Sequence, residues 1–285
     1  MQSPTFSTLI SAQDLSTHLN DKHWVILDVR HDLMDSRAGL QAYVAGHLPG
    51  AQFVHLDQSL SAAKVGPDGV FRGRHPLPEK QQFIQTLRAL GINNDTQVII
   101  YDAQGGMFAA RLWWMLRWVG HAAVAVLDGG LPAWTALSLP LTVDVPTVRA
   151  GQFTAQSTLV AQVDVAAVLA NIDHPQFTIV DARAADRFRG ENETIDPVGG
   201  HIPGAINRFF KDNLQADGRF KSPEQLRTEW SGIVSHPEKS VMQCGSGVTA
   251  CHNLLALDVA GLSGAALYPG SWSEWCADSG RPVAR

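Results

Sequence analysis

Short apolar runs alternate along this chain with longer stretches of helical spacing. Runs at Trp24–Val29, Val98–Tyr101 and Val124–Leu127 are matched by runs at Thr178–Val180, Val241–Gln243 and Ala265–Tyr268. None alternates strictly between apolar and polar residues. That pattern predicts strands covered on both faces, as in a parallel sheet. Helices are expected between them. In "SPEQLRTEWSGI", Ser222 stands as N-cap, Pro223 at the first helical position and Gln225 three residues past the cap, a helix-start signature. "MFAARLWWMLRWVG" is apolar around most of its circumference and stops at Gly120, which predicts a buried helix. Strands alternating with helices imply an α/β fold.

The pattern runs through twice. "VILDVR" at Val25 returns as "TIVDAR" at Thr178, and "GHLPGA" at Gly46 as "GHIPGA" at Gly200. "VIIYD" ending at Asp102 parallels "SVMQC" ending at Cys244, and "GGLPAW" ending at Trp134 parallels "GSWSEW" ending at Trp275. The offsets are 153, 154, 142 and 141. Four ordered landmarks at a near-constant shift predict two copies of one domain. The fall in offset assigns extra residues to copy one, around the glycine- and proline-bearing "SLSAAKVGPDGVFRG". The expected division is residues 1–143, a linker at 144–156 inside "PLTVDVPTVRAGQFTAQST", and residues 157–285.

Composition narrows the function. The 285 residues are 45% hydrophobic and 17% charged, with a formal net charge of −5, an ordinary globular balance. Without a basic footprint, nucleic acid is not an expected partner. "MQSPTFSTLISAQDL" lacks the basic start and apolar core of a signal peptide. No apolar run is long enough to span a membrane. The cysteines are three, Cys244, Cys251 and Cys276. A sparse, odd count argues against a disulfide framework and for a reducing cytoplasm. No Cys/His spacing fits a zinc site, and neither a metal nor a cofactor is expected.

One cysteine stands apart. Ligands of open α/β sheets gather beyond the carboxyl ends of the strands, and Cys244 falls at such an end, in "CGSGVT" before the helical "ACHNLLALDVAG". Two glycines let the backbone curl so that successive N–H groups point inward, and the following helix adds its positive end. Such a nest favours a thiolate. Cys251, a turn into the helix, and Cys276, beside the tryptophans, are expected to pack. Copy one carries Asp102 at the position of Cys244, which makes it the expected silent copy. Phosphatase chemistry needs an arginine six residues after the cysteine, where this chain has Ala250. The nucleophile elbow Gly-x-Ser-x-Gly is not matched around Ser246. A non-catalytic binding module remains an alternative.

The paired "GHLPGA" and "GHIPGA", the loop "CGSGVTAC", "RLWWMLR" and "GSWSEW" together resemble the two-domain sulfurtransferases of the rhodanese family. The resemblance implies two tandem rhodanese-like domains, each a parallel sheet flanked by helices. It implies a loop of six residues, Cys244, Gly245, Ser246, Gly247, Val248 and Thr249, that cradles a persulfide on Cys244. The neutral loop is similar to that of the branch using 3-mercaptopyruvate; the thiosulfate branch carries arginine and lysine after the cysteine. A Cys-Ser-Asp relay would map onto Cys244, Ser246 and Asp57, with copy one reaching the site of copy two. Arg187 would bind the donor carboxylate, and His75 would line the site. A second arginine is expected nine residues after Arg187, where this chain has Asp196; Arg189 or Arg208 is the expected substitute. His47 and His201 recur in both copies and are expected to be structural. The implied acceptor is a thiol, such as thioredoxin's or a small one, or cyanide. Thiosulfate is the alternative donor, and a persulfide carrier loaded by a partner the alternative class.

Overall fold

The computed structural model of the protein describes residues 5–285. The first four residues, part of the N-terminal stretch read above for a leader, lie outside the described residues. Among the described residues, no helix is long and apolar enough to cross a membrane.

The chain forms two compact units. The first takes in the chain up to Ser61, Pro78–Leu159 and Ala216–Phe220; the second takes in Ala62–Leu77, Val160–Gln215 and Lys221–Arg285. The glycine-bearing insertion of copy one is therefore packed largely in the second unit. The stretch 144–156 is built onto the first unit. Gly151 N–H donates to the Arg88 carbonyl at 2.7 Å, and Phe153 is fully buried.

The first unit holds β1 (Leu9–Ile10), β2 (Trp24–Asp28), β3 (Gln52–Phe53), β4 (Gln97–Tyr101) and β5 (Val124–Leu127) in the order β1-β5-β4-β2-β3. The second holds β6 (Ala161–Gln162), β7 (Thr178–Asp181), β8 (Ile206–Asn207), β9 (Ser240–Gln243) and β10 (Ala266–Leu267) in the order β6-β10-β9-β7-β8. Every pairing is parallel, and the two orders are the same topology. The sequence pattern carries the inner strands and the β10 run. It carries none of the two-residue strands β1, β3, β6 and β8, because two residues are too short to show a period.

Burial explains the runs. Every residue of β4, β5 and β9 is buried, as expected for a sheet sandwiched between helices. Helix Ala109–Trp118 buries every residue except Arg117, and Ala250–Val259 buries Ala250 through Leu257. Helix Pro223–Ser231 starts as its sequence predicts, with the Ser222 side chain accepting from Gln225 N–H at 3.2 Å.

The repeated motifs are locked to each other. Arg30 grips Asp28 with its fork, at 2.6–3.0 Å, and donates onward to the Gly46 carbonyl at 2.8 Å. Arg183 does the same with Asp181 and the Gly200 carbonyl, at 2.7 Å for the last. The Asp-x-Arg at a strand end thus fastens the Gly-His-x-Pro turn in each unit. A buried charge is tolerable only when paired and hydrogen-bonded, so the two motifs recur together. His47 Nδ1 meets the Tyr43 carbonyl at 2.8 Å, and its ring stacks on Tyr43; His201 Nδ1 meets the Phe188 carbonyl at 2.9 Å, and its ring stacks on Phe188. Both histidines are structural.

Candidate active site

Strand β9 ends at Gln243 and the chain turns at once into Cys244. The loop is pinned from one side by Gly270–Ser273. Cys244 N–H donates to Ser271 Oγ at 3.1 Å, and that hydroxyl donates to the Tyr268 carbonyl at 2.9 Å. Trp272 N–H donates to the Cys244 carbonyl at 3.0 Å and Ser273 N–H to the Gly245 carbonyl at 2.9 Å. Ser271 holds a φ of 53° to do this. A left-handed non-glycine residue costs about 1–2 kcal/mol, and the two hydroxyl hydrogen bonds, worth about 1 kcal/mol each, offset it.

The sulfur sits inside the curl. Gly247 N–H points at Cys244 Sγ from 3.2 Å, the inward N–H that a nest requires. Gly247 has φ +77°, and a Cβ there would overlap the Pro269 carbonyl. Only glycine fits. Cys244 is 1% exposed: the thiol lies sunk in its loop rather than on the surface. The Ser246 hydroxyl stands 2.8 Å from His75 Nδ1, with both residues buried. His75 arrives from the Ala62–Leu77 segment, which belongs to the second unit. Val248 is buried and Thr249 caps helix Ala250–Val259.

Asp57 belongs to the first unit, in the short helix Leu56–Ser59. Its N–H donates to His55 Nδ1 at 3.1 Å, and its carboxylate lies 3.9 Å from His31 Nε2. His31, His55 and Asp57 form the cluster of possible metal ligands found among the described residues. His55 Nε2 meets the Ser36 carbonyl at 3.0 Å, so both its ring nitrogens are engaged.

Arg187 reaches the cysteine loop. Both of its terminal nitrogens would lie 3.8 Å from a Cβ on Gly245. Its Nε and Nη2 hold Glu193 at 2.8–3.1 Å, and Nη2 also lies 3.4 Å from Asp196. Burial pushes Glu193 upward, but the Arg187 bonds and the N–H groups of Asp196 and Ile195 outweigh it and hold the carboxyl below its ordinary range. Asp196 goes the other way: burial raises it above the ordinary range, against its pairing with Arg74.

Both expected substitutes for a second arginine are paired elsewhere. Arg208 is bound to Glu229 at 2.5 Å and lies over Trp230. Arg189 pairs with exposed Glu191 at 2.7 Å. Both are engaged by local partners. The second guanidinium at the loop is that of Arg74, whose Nη2 would stand 2.7 Å from a Cβ on Gly245. Arg74 stands directly before His75 in the chain, and the family resemblance singles out only the histidine. Ser271 was missed as well; its signal was the polar residue in "GSWSEW" where copy one has a second glycine. The remaining thiols pack. Cys251 Sγ lies 3.4 Å from the Gly247 carbonyl. Burial, reinforced by the Asp196 charge, pushes the Cys276 thiol up to about 11.

Rhodanese-like domains match residues 11–137 and 164–278. A probable 3-mercaptopyruvate sulfurtransferase of Pseudomonas aeruginosa is 47% identical, over 97% of each chain. A putative thiosulfate sulfurtransferase of Mycobacterium tuberculosis is 40% identical, over 91% of this chain and 90% of its own. The solved 3-mercaptopyruvate sulfurtransferase of Leishmania major superposes with a TM-score of 0.85 at 30% identity, over 97% of this chain and 76% of that one. Tandem parallel sheets shared at this length with enzymes that move sulfur define a sulfurtransferase, which takes sulfur from a donor and passes it to an acceptor thiol. The chain belongs to the rhodanese family, and carries its domain twice.

Proposed function

We propose that the protein takes sulfur from 3-mercaptopyruvate as a persulfide on Cys244 and hands it to a thiol. The observation that carries this is the pairing of a nested sulfur with guanidinium groups at the same loop. Gly247 N–H faces Cys244 Sγ, while Arg187 faces Gly245. The first suits a thiolate and the second a carboxylate.

The cycle has two half-reactions. The Cys244 thiolate attacks the donor sulfur, the S–S bond forms and the C–S bond breaks. The electron pair leaves on carbon as the enolate of pyruvate, which takes up one proton. Ser246 on the loop and His75 beside it, 2.8 Å apart, are groups able to pass that proton. An acceptor thiolate then attacks the outer sulfur and frees Cys244. Splitting one transfer in two is the gain of covalent catalysis, and the loop N–H groups stabilise the sulfur anion in each step. Val248 and Thr249 complete the cradle. Asp57 enters as the third member of the relay on the strength of the family resemblance. Its test is whether Asp57→Asn slows persulfide formation.

Thiosulfate is the second donor, favoured by the Mycobacterium relative's name. It would load the same sulfur and release sulfite. Thioredoxin, a small thiol or cyanide is the acceptor in this reading. Three sparse free thiols suit a cytoplasmic location, since reducing compartments keep thiols unpaired.

The test is intact mass after exposure to each donor, with Cys244→Ser beside it. A gain of one sulfur from 3-mercaptopyruvate, with one pyruvate released and no gain in the variant, is expected. Turnover in the variant falls by about 10³-fold or more. A gain from thiosulfate alone moves the assignment to that donor. No gain from either, with loading only from another protein, makes the chain a carrier.

A further inference from the structure

We infer that Arg74 is a second donor-binding guanidinium of the sulfur-loading site, and that Asp196 positions it beside Arg187 and selects for singly charged donors. The inference deepens the donor reading above and rests on it.

Arg74 is held where it can act. Its N–H donates to Ser273 Oγ at 3.1 Å, and Ser273 N–H in turn donates to the Gly245 carbonyl. Gly73 before it takes φ +101°, with a Cβ position 3.0 Å from the Gly270 carbonyl. The backbone therefore lies tight against the residues that pin the cysteine loop. From there the side chain reaches Gly245 more closely than Arg187 does, as the 2.7 and 3.8 Å separations above show. Two guanidinium groups thus converge on the residue next to the nucleophile.

Each fork keeps a donor in hand. Arg74 spends Nη1 on Asp196 and keeps Nη2, the nitrogen nearest Gly245. Arg187 spends Nε and Nη2 on Glu193 and Asp196 and keeps Nη1, which also faces Gly245. Both side chains are 20% exposed, whereas those of Glu193 and Asp196 are 3% and 4% exposed. The carboxylates are the buried braces and the arginines the accessible heads. A ligand carboxylate can accept one N–H from each head, the charge-assisted pairing that guanidinium groups favour.

Asp196 also sets the charge. Arg74, Arg187 and Arg183 bring three positive charges, and Asp196, Glu193 and Asp181, which holds Arg183, three negative ones, so the braced cluster is neutral. A neutral cluster with two spare N–H donors suits a monoanion such as 3-mercaptopyruvate. A dianion such as thiosulfate asks for surplus positive charge, and the Asp196 carboxylate cancels it.

Donor kinetics test this with the full-length protein. Asp196→Asn keeps the shape and removes the charge, so the kcat/KM ratio of thiosulfate to 3-mercaptopyruvate should rise about tenfold. Arg74→Ala and Arg74→Lys should each raise the KM for 3-mercaptopyruvate, by about tenfold or more for alanine. Discharge of preloaded persulfide to a thiol should stay unchanged in all three variants. That last readout separates lost donor binding from a distorted loop. An unchanged donor ratio in Asp196→Asn, or an unchanged KM in both Arg74 variants, overturns the inference while leaving the persulfide cycle standing. Failure of the unmutated protein to load sulfur from either donor sinks the function itself.

Discussion

The two units build the same loop after the same strand and fill it differently. In the first, Asp102 occupies the position that Cys244 holds in the second. Its carboxylate accepts from Gln104 and Gly106 N–H through Oδ1 and from Phe108 and Ala109 N–H through Oδ2, all at 2.8–3.0 Å. That is a nest saturated by its own anion. In the second, Cys244 leaves the nest to a sulfur, contacted by Gly247 N–H. The pinning segment differs in the same sense. Gly130, with φ +57°, lets Leu131 N–H reach the Asp102 carbonyl at 2.8 Å. The second unit puts Ser271 into that left-handed conformation. One residue upstream, Tyr101 donates to Asp28 at 2.6 Å, whereas Gln243 is wholly buried with neither amide atom paired among the described residues. The Asp102 loop is relaxed, and the loop with the thiol sits among costly choices. Local strain of this kind concentrates at functional sites.

Three substitutions can break that comparison, the strongest first. Gly247→Ala forces a side chain into the Pro269 carbonyl at positive φ. It is expected to cost about 3 kcal/mol of stability and to abolish persulfide formation, read by urea unfolding and intact mass. Near-normal loading would show that the curl does not hold the sulfur. Asp102→Ala strips the first nest of its anion and leaves four N–H donors to find water. It should cost about 2–3 kcal/mol while turnover per folded molecule stays the same. A matching fall in turnover would mean that the first loop is not silent. The smallest effect is expected from Gln243→Met, which replaces an unpaired buried amide by an apolar chain of similar length. It should stabilise by about 1 kcal/mol; a loss of stability together with slower loading would give that amide a role beside Cys244.

Legibility in the sequence followed the physics of each feature. The inner strands showed as apolar runs because both their faces are buried. The Asp-x-Arg and Gly-His-x-Pro motifs showed as repeats because a buried ion pair fastens one to the other in each unit. Cys244 showed because it stands at a strand end with two glycines, Gly245 and Gly247, close behind it. Arg74 did not show. It is brought to the loop by a segment 170 residues upstream of Cys244, and nothing local distinguishes it from a surface arginine. Arg208 misled for the converse reason: it reads as a free cation, but Glu229 and Trp230 claim it.

The sequence by itself determined the α/β class, the duplication and the matching of Cys244 to Asp102, since each is written in local pattern or in residues near one another along the chain. Tertiary structure alone decided which arginines face the sulfur loop, how Asp196 and Glu193 brace them, and that Ser271 and Gly247 shape the nest. Those outcomes depend on which of several competing partners lies within hydrogen-bonding distance, and only the folded chain sets that distance.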